Sequence, residues 1–351
     1  MATVIVGTGT ALPPAVVTND QLAELMDTSD EWIRSRTGVG ERRLAEPGVS
    51  TADLATEAGH AALVDAGLDP EDVDALIVAT MTPDFYAPGS APLVQDRMGL
   101  GTVRSYGIRQ QCSGFVYGLD LADSLIGSDK ADTVLVIGAE VHAGIQPWAN
   151  QWRERRNGGS ITPEERERNN KHRHWSVLFG DGAGAAVLRR GTDDGILAVE
   201  LFTDGSYFGL IQVPAMGSST QPFVDVATIA ADEHMPQMNG PMLYRQAVRK
   251  MPEAVHAALK GAGLGVDDVD VVVAHQANAR IVDGVRKRLG LDVDQVPMNL
   301  DRFGNTTAGT LPILFDELRR DGRVSPGTVV VFVAFGAGAH WGAAVYREPT
   351  G

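Results

Sequence analysis

The chain has 351 residues, 44% of them hydrophobic, and a formal net charge of −15 at pH 7. This length allows two domains with a large core, and the acidic balance argues against nucleic-acid binding. The single cysteine, Cys112, excludes an internal disulfide and is typical of a reducing compartment, so we expect a cytoplasmic protein. We expect neither a signal peptide nor a membrane helix, because no apolar run approaches about 20 residues.

Strands and capped helices alternate from the amino terminus. Residues 4–10 predict a strand that runs into a glycine turn. Pro13 and Pro14 follow where a dinucleotide-binding helix would have to run, so we reject that interpretation of the glycines. Helix caps and glycine stops then predict helices at about residues 21–26, 29–38 and 51–66.

An internal repeat predicts a duplicated domain. Residues 62–74 and 258–270 share eight of thirteen positions, and residues 131–138 resemble residues 327–334 in the same phase. Such a long period indicates duplication and not a solenoid. Each half alternates strands and helices, which predicts an α/β fold with mostly parallel sheets. We place the halves at residues 1–190 and 191–351, joined by a polar turn at residues 189–195.

Cys112 lies between a short apolar-polar run, residues 104–109, that predicts the end of a strand, and a helix-like pattern that begins at Gly114. A thiol at a helix N-terminus is expected to have a lowered pKa and to act as a nucleophile. The alternative is a small buried hydrophobic residue. The repeat pairs Cys112 with Ala308, so we expect the two turns to face each other.

Two polar residues stand at matching positions of the second half. His275 follows the buried strand at residues 271–274, and Asn305 precedes a helix. Alone, each has an ordinary alternative: a structural histidine and a helix cap. Together with Cys112 they form a nucleophile with two hydrogen-bonding partners that can stabilise an enolate or an oxyanion. We expect no metal site, because His172 and His174 lack a third ligand, and no cofactor motif is present.

The chain resembles the β-ketoacyl-(acyl carrier protein) synthase III family of the thiolase superfamily. The matching motifs are residues 28–38, 111–115, 179–185, 275–278, 304–308 and 334–342. The resemblance implies a homodimer of thiolase-like duplicated domains, each chain a five-layered α-β-α-β-α sandwich. It also implies that Cys112 takes an acyl group from acyl-CoA and that the acyl-enzyme condenses with malonyl-acyl carrier protein. CoA and the carrier's phosphopantetheine would serve as substrate carriers, with no further cofactor.

The resemblance also implies roles for individual residues. His275 and Asn305 match the residues that promote decarboxylation and stabilise the enolate, and the backbone N–H groups of Cys112 and Ala337 match the oxyanion hole. Further substrate-binding positions are implied, the first two for the nucleotide end of CoA: Trp32, Arg36, Ala87, Gly240, Tyr244, Gln276, Asn278 and Arg280.

The sequence departs from the family pattern in four places. Large side chains at residues 109–111 precede the nucleophile, Ala87 replaces a bulky gate residue that reaches across the dimer, and residues 339–340 replace a larger apolar residue and a threonine. The fourth departure is an insertion at about residues 143–176, which is locally basic. The small Ala87 predicts a preference for medium or long acyl chains. For the insertion, two interpretations are equally open. It is either a solvated flap or a segment that contacts CoA phosphates or the acidic carrier protein.

Two other functions are alternatives for a chain with these residues. One keeps the acyl-cysteine but changes the acceptor: an acyltransferase, or a head-to-head long-chain Claisen enzyme of a specialised pathway. The other is a catalytically silent partner subunit. Intact Cys112, His275 and Asn305 argue against the silent subunit. His275 and Asn305 also favour condensation, because simple acyl transfer needs no decarboxylation.

Overall fold

The computed structural model describes residues 2–191 and 194–350. The β-strands, in chain order, are β1 (Ala2–Ala11), β2 (Val16–Thr18), β3 (Glu41–Arg43), β4 (Ala75–Ala79), β5 (Arg104–Ile108), β6 (Thr133–Glu140), β7 (Gly182–Gly191), β8 (Gly195–Thr203), β9 (Ile211–Gln212), β10 (Gln237–Met238), β11 (Val271–Ala274), β12 (Val329–Gly336) and β13 (His340–Arg347).

The α-helices, in chain order, are α1 (Asn19–Ala23), α2 (Asp30–Thr37), α3 (Thr51–Ala66), α4 (Ala91–Arg97), α5 (Gly114–Gly127), α6 (Ala149–Arg156), α7 (Pro163–Ser176), α8 (Val226–Ala230), α9 (Gly240–Ala262), α10 (Ala279–Leu289), α11 (Leu300–Phe303) and α12 (Thr310–Arg320). Short 3-10 helices connect them at Pro70–Asp72, Gln111–Ser113, Gly205–Leu210, Val266–Asp268, Val293–Gln295 and Thr307–Gly309. Across the described ranges, no helix is both long and apolar enough to cross a membrane.

Two sheets repeat one strand order, as a duplicated domain should, but both mix parallel and antiparallel pairings, so the expectation of mostly parallel sheets is wrong. The first runs β1-β7-β6-β4-β5 and the second runs β8-β13-β12-β11. In both, two antiparallel pairings are followed by a parallel one: β6 with β4, and β12 with β11. Strand β7 ends at Gly191 and β8 begins at Gly195, so the predicted joining turn falls between the sheets. Within that turn, Thr192 and Asp193 lie outside the described residues, and the division at residue 190 stays a prediction.

The order of the helical and sheet layers follows from where the apolar side chains are buried. Helices α5 and α12 lie between the two sheets, where Phe332 makes edge-to-face contacts with Phe115 and Phe315 at 6.1 and 4.9 Å. Helix α3 covers the outer face of the first sheet, and α9 and α10 cover the outer face of the second. The result is the expected five-layered α-β-α-β-α sandwich. Full burial of each such phenylalanine contributes about 1.5–3 kcal/mol to folding.

Capping residues explain the helix boundaries near the amino terminus. The Ser29 side chain accepts a hydrogen bond from the backbone N–H of Trp32 at the start of α2, and Gly38 ends that helix at φ 83°. Helix α3 begins and ends as predicted, with Ser50 as its N-cap and Gly67 after its last turn. Helix α1 lies earlier in the chain than predicted: the Thr18 capping box starts it at Asn19, and it ends at Ala23.

The insertion is a packed part of the fold. Helices α6 and α7 bury tryptophans against α1 and α2 in a core of their own. Arg155 forms an ion pair with Glu24 at 3.0 Å, and Arg156 forms one with Glu46 at 3.0 Å. Arg153 donates a hydrogen bond to the Ala45 carbonyl oxygen at 2.6 Å. The interpretation of the insertion as a solvated flap is therefore wrong, and these three arginines are engaged within the chain.

Candidate active site

Cys112 lies at the turn between strand β5 and helix α5, where the sequence places it. The turn is the 3-10 helix Gln111–Ser113, and Gln111 adopts a left-handed backbone conformation with φ 52°. The Cys112 side chain is nearly buried, with 8% of the residue exposed. In this sheet β4, β5 and β6 are parallel, so their carboxyl ends meet at one edge. Cys112 is at that edge, where sites form in α/β folds.

The protonation of Cys112 differs from the sequence-based expectation. Burial, together with the negative charge of Glu140, raises the pKa of the Cys112 thiol to about 12. The predicted lowering is therefore wrong. The reason is that a short 3-10 turn separates Cys112 from α5, while desolvation penalises the thiolate and a buried carboxylate lies nearby. At neutral pH the resting residue is a thiol.

His275 follows strand β11 and is held through its backbone. Its N–H donates to the Val333 carbonyl oxygen at 2.8 Å, and the residue is 2% exposed. Within the described parts of the chain, neither ring nitrogen has a hydrogen-bond partner. Burial lowers the pKa of His275 to about 3, so the ring is neutral at pH 7. A neutral imidazole can donate one N–H to a ligand oxygen.

Asn305 is fixed between helix α11 and the 3-10 turn that precedes α12. Its backbone N–H donates to the Leu178 carbonyl oxygen at 2.8 Å. Its side-chain oxygen accepts from the Thr307 N–H, also at 2.8 Å. Because the carbonyl end of the amide is occupied in this way, the NH2 end is the group left to donate to a ligand.

Cys112, His275 and Asn305 line one cavity of about 110 Å³, which we call the Cys112 cavity. Its walls are otherwise largely apolar and include, among others, Ile145, Leu178, Phe179, Leu243, Ala247, Met251 and Phe335. An apolar cavity with a few convergent polar groups is the usual form of a small-molecule site. The arrangement suits an acyl chain next to a thiol.

The loop after strand β12 forms the wall beside the nucleophile. Ala337 lines the cavity, and a side-chain carbon added to Gly336 would lie 3.0 Å from the backbone nitrogens of Cys112 and Ser113. Only glycine allows so close an approach of the two backbones. The backbones of Cys112 and Ala337 thus belong to neighbouring loops beside the cavity, and the oxyanion hole that the resemblance implies at their N–H groups stays a prediction.

Other predicted substrate-binding residues are divided between the cavity and its surroundings. Gly240 and Asn278 line the cavity. Tyr244 is 43% exposed and is not part of the wall that the described residues form. Arg280 is exposed too, and it donates to the Ser35 carbonyl oxygen at 2.8 Å on helix α2.

Gln276 is fully buried, and its amide is used inside the protein. Its side-chain oxygen accepts from the backbone N–H groups of Asn299 and Leu300 at 2.9 and 3.0 Å. Its nitrogen donates to the Asn299 side chain at 3.2 Å. Gln276 was expected to contact the substrate. In the structure its side-chain amide instead fixes the loop before α11. Gln276 is also absent from the cavity wall that the described residues form.

Trp32 and Arg36 come together at the surface, joined by Arg173 of the basic insertion, whose contact with the Trp32 ring the sequence did not predict. The Arg36 guanidinium lies 4.6 Å from the centre of the Trp32 ring. The guanidinium of Arg173, on insertion helix α7, lies 4.4 Å from the same ring, and Arg173 also donates to the Asp27 carbonyl oxygen. No local sequence signal connects Arg173 with Trp32, because their contact depends on how α7 packs.

His142 also lines the site, although the sequence did not single it out as a candidate site residue. It lies two residues beyond strand β6, is fully buried and lines the Cys112 cavity. The signal was present, since a titratable residue just after a buried strand lies at the same sheet edge as the nucleophile. Its neighbour Glu140 accepts hydrogen bonds from Thr80, Met81 and Thr82.

The histidines of the insertion do not form a metal site. The His172 ring contacts the Asp232 carboxylate at 3.1 Å and accepts from the Trp175 indole N–H at 3.3 Å. In the described ranges, no group of three or more His, Cys, Asp or Glu side chains could hold a metal ion.

A duplicated α/β sandwich with a cysteine at the edge of its first sheet defines the thiolase-like condensing enzymes. Comparison with known proteins narrows this class. Residues 106–156 and 161–205 match the model for 3-oxoacyl-(acyl-carrier-protein) synthase III, and residues 259–348 match the model for the C-terminal part of the same enzyme.

Full-length relatives agree with these matches. The chain is 41% identical over 344 residues to the β-ketoacyl-(acyl-carrier-protein) synthase III of Desulfitobacterium hafniense, covering 98% of this chain and 97% of the relative. The crystal structure of 3-oxoacyl-(acyl-carrier-protein) synthase III from Aquifex aeolicus matches with 37% identity and a TM-score of 0.84, over 99% of this chain and 100% of the other. The Thermus thermophilus enzyme matches with 36% identity and a TM-score of 0.86 over the same shares. The chain belongs to the 3-oxoacyl-(acyl-carrier-protein) synthase III family and is a condensing enzyme of the transferase class.

Proposed function

We propose that this protein extends a medium- or long-chain acyl-CoA primer with malonyl-acyl carrier protein through an acyl-enzyme on Cys112. One observation carries the proposal: Cys112, His275 and Asn305 line a single apolar cavity, and both ring nitrogens of His275 are free of partners within the described chain. Buried polar groups without partners are costly, and they are retained where a ligand satisfies them.

In the first half-reaction, the Cys112 sulfur attacks the thioester carbonyl of acyl-CoA. The carbon–sulfur bond to CoA breaks, and the proton of the Cys112 thiol ends on the CoA sulfur. The backbone N–H groups of Cys112 and Ala337 stabilise the negative charge on the carbonyl oxygen. Because the Cys112 pKa is about 12, the thiol loses its proton during the attack and not beforehand.

In the second half-reaction, malonyl-acyl carrier protein replaces CoA and loses CO2. The resulting enolate oxygen receives hydrogen bonds from the neutral His275 ring and from the Asn305 NH2 group. The enolate carbon then attacks the acyl carbonyl, the bond to Cys112 breaks, the Cys112 sulfur takes up one proton from solvent, and a β-ketoacyl-carrier product leaves. Neutral His275 fits this role because an imidazole with a pKa of about 3 acts as a hydrogen-bond donor and not as a cation.

The entrance for CoA is proposed at Trp32. Its indole ring offers an aromatic face for adenine, and Arg36 and Arg173 supply positive charge for the phosphates. This local charge matters on a chain whose net charge is −15. Arg173 thus supports the hypothesis that the insertion contributes to CoA binding. We further propose that the enzyme works in the cytoplasm as a homodimer, as the single thiol and the family resemblance suggest.

Purified protein with [14C]malonyl-acyl carrier protein and a panel of acyl-CoAs tests the proposal. Condensation releases one CO2 for each labelled β-ketoacyl product, and both should depend on the primer. An acyltransferase would consume acyl-CoA without releasing CO2, and a head-to-head Claisen enzyme would react without the malonyl substrate. Either of those outcomes would overturn the proposal.

A further inference from the structure

The wall of the Cys112 cavity contains a histidine to which the proposed reaction assigns no role. His142 is fully buried and stands among apolar neighbours that include Met81, Ile145 and Phe179. Met81 follows strand β4 and His142 follows β6, so both stand at the sheet edge that presents Cys112. The histidine is therefore a polar group on the side of the cavity formed by the first sheet.

The hydrogen bonding of His142 fixes which ring atom is available. Nδ1 lies 2.9 Å from the Gly180 carbonyl oxygen. Because a carbonyl can only accept, Nδ1 carries the hydrogen, and in the neutral ring Nε2 carries a lone pair. Nε2 is buried and has no partner among the described residues. Such an atom in a cavity wall indicates that a ligand supplies the missing hydrogen bond.

The His142 ring is also held in place. It stacks on Phe179, with ring centres 4.8 Å apart and an angle of 26° between the planes. Its backbone N–H donates to the Asp181 carboxylate at 2.6 Å, and the other carboxylate oxygen accepts from the Ala45 N–H at 2.7 Å. A polar atom presented by a ring fixed in this way is preorganised for binding.

We propose that His142 selects an acyl chain that carries a hydroxyl group, and that Nε2 binds this hydroxyl when the chain is attached to Cys112. The inference rests on the proposed function, whose primer class it narrows. A hydroxyl can donate to the neutral ring and can accept from the protonated ring. A plain hydrocarbon chain would leave Nε2 without a partner.

The surrounding charges favour a hydroxyl over a carboxylate. Burial lowers the pKa of His142, but the Asp181 carboxylate, 3.7 Å from Nδ1, and the charge of Glu140 outweigh burial and raise the pKa above its ordinary value. The carboxylates of Glu140 and Asp181 already supply negative charge beside the ring, so an anionic acyl group would be repelled.

The test compares acyl-CoAs of equal length with and without a hydroxyl at C2, C3, C4 or C5. Intact-protein mass spectrometry follows acylation of Cys112, which does not require the malonyl half-reaction. The wild type should react with at least one hydroxyacyl-CoA about tenfold faster than with its parent, since a site with a buried polar group rejects an analogue lacking the matching group. His142→Asn keeps an atom at the Nδ1 position and removes Nε2, so the ratio of the hydroxyacyl to the parent acylation rate should fall to about one. His142→Gln keeps a polar atom near Nε2 and should retain most of the preference.

His174→Asn supplies the matched control, because it is the same substitution at an exposed histidine of helix α7 and should leave the ratio unchanged. A purely structural role for His142 predicts the reverse order, with His142→Asn like the wild type and His142→Gln impaired. That order of the variants, or a wild type that favours the unsubstituted chain at every length, would overturn this inference and leave the proposed function intact. If no acyl-CoA of either kind acylates Cys112, the proposed function fails and the inference fails with it.

Discussion

Gln111 and Thr307 share an uncommon backbone conformation at equivalent positions of the two halves. Their φ angles are 52° and 45°, in the left-handed region that non-glycine residues rarely adopt. Each begins a 3-10 turn that leads into a central helix, α5 or α12, and each directly precedes a paired residue, Cys112 or Ala308. A left-handed non-glycine residue costs about 1–3 kcal/mol. Both halves therefore keep the same strained turn, but only the first half places a thiol on it.

The turn predicts one site of acylation. Cys112→Ser should keep the fold but form no acyl-enzyme, because a serine hydroxyl here lacks the nucleophilicity of sulfur. After incubation with acyl-CoA, mass spectrometry should find the adduct on Cys112 of the wild type and none on the variant. An adduct elsewhere in the chain, or full turnover by Cys112→Ser, would contradict the assignment.

The raised pKa of Cys112 predicts how its reactivity depends on pH. Below a pKa of about 12 the thiolate fraction rises about tenfold for each pH unit. The rate of iodoacetamide labelling should therefore increase steadily from pH 7 to about pH 10 without levelling, since no earlier titration of the thiol intervenes. Cys112 is the only cysteine, so Cys112→Ser gives the background directly. Glu140→Gln should increase the rate at pH 8, because the Glu140 charge raises the pKa. A plateau below pH 9 would mean that the helix end lowers the pKa after all.

Local sequence rules predicted the fold well because the rules and the packing agree. The repeat predicted two sheets of like topology and the facing of the turns at Cys112 and Ala308, and the structure confirms both: a side-chain carbon added to Gly114 would lie 3.5 Å from the Ala308 methyl group. Gly67 predicted the end of α3 correctly because a left-handed glycine acts within one helical turn. These signals are contained in a few neighbouring residues.

Properties that depend on distant segments could not be predicted in this way. The Cys112 pKa depends on burial and on Glu140, which strand β6 brings to the site. The Arg173 contact with Trp32 depends on the packing of α7 against α2. Gln276 stands in a family motif, but its amide is occupied by the loop at Asn299, which no local pattern reveals. In each case the deciding partner is separated from the residue by more than twenty positions.

His275 and Asn305 should affect the two half-reactions unequally. His275→Ala or Asn305→Ala should slow malonyl decarboxylation about 100-fold or more, as removal of one oxyanion donor does, and should slow acylation of Cys112 less. The difference follows because the charge they stabilise develops on the enolate. Release of [14C]CO2 and the intact mass of the acyl-enzyme measure the two steps separately. Equal losses in both steps would show that these residues mainly position the nucleophile.

Arg173 should matter for CoA and not for the acyl chain. Arg173→Ala removes a cation from the Trp32 ring, so we expect the KM for acyl-CoA to rise about 2- to 30-fold, equivalent to about 0.5–2 kcal/mol. The kcat/KM for an acyl-pantetheine thioester, which lacks the nucleotide, should stay unchanged. Arg166→Ala is a suitable control, because Arg166 lies on the same helix and contacts Glu24 and Asp27, whereas the cations over the Trp32 ring in the described chain are Arg36 and Arg173. A similar rise of KM in both variants would indicate loosening of α7 and not loss of a CoA contact.

Ala87 should set the length of the acyl chain only in a dimer. It lies in an exposed loop next to Tyr86, whose ring contacts Phe223 at 5.0 Å, and it is absent from the cavity wall that the described residues of its own chain form. A gate at this position must therefore reach the cavity of a second subunit. A methyl group there leaves room for a longer chain, and each added buried methylene contributes about 0.8 kcal/mol, or about fourfold in kcat/KM. We expect the wild type to prefer medium or long acyl-CoAs over acetyl-CoA.

Substitutions of graded size test this gate. Ala87→Val should shorten the preferred chain moderately, and Ala87→Phe should shift it toward acetyl-CoA, because a larger side chain takes the space of the terminal methylenes. A series of kcat/KM values from acetyl- to dodecanoyl-CoA measures the shift, and sedimentation at the assay concentration establishes the oligomeric state. If acetyl-CoA is the best primer of the wild type, the gate is closed by other residues, and Phe85, an exposed aromatic side chain two positions before Ala87, is the first candidate. If a dimeric Ala87→Phe variant keeps its long-chain activity, the acyl chain does not pass this position, and the length limit lies within the walls of the Cys112 cavity itself.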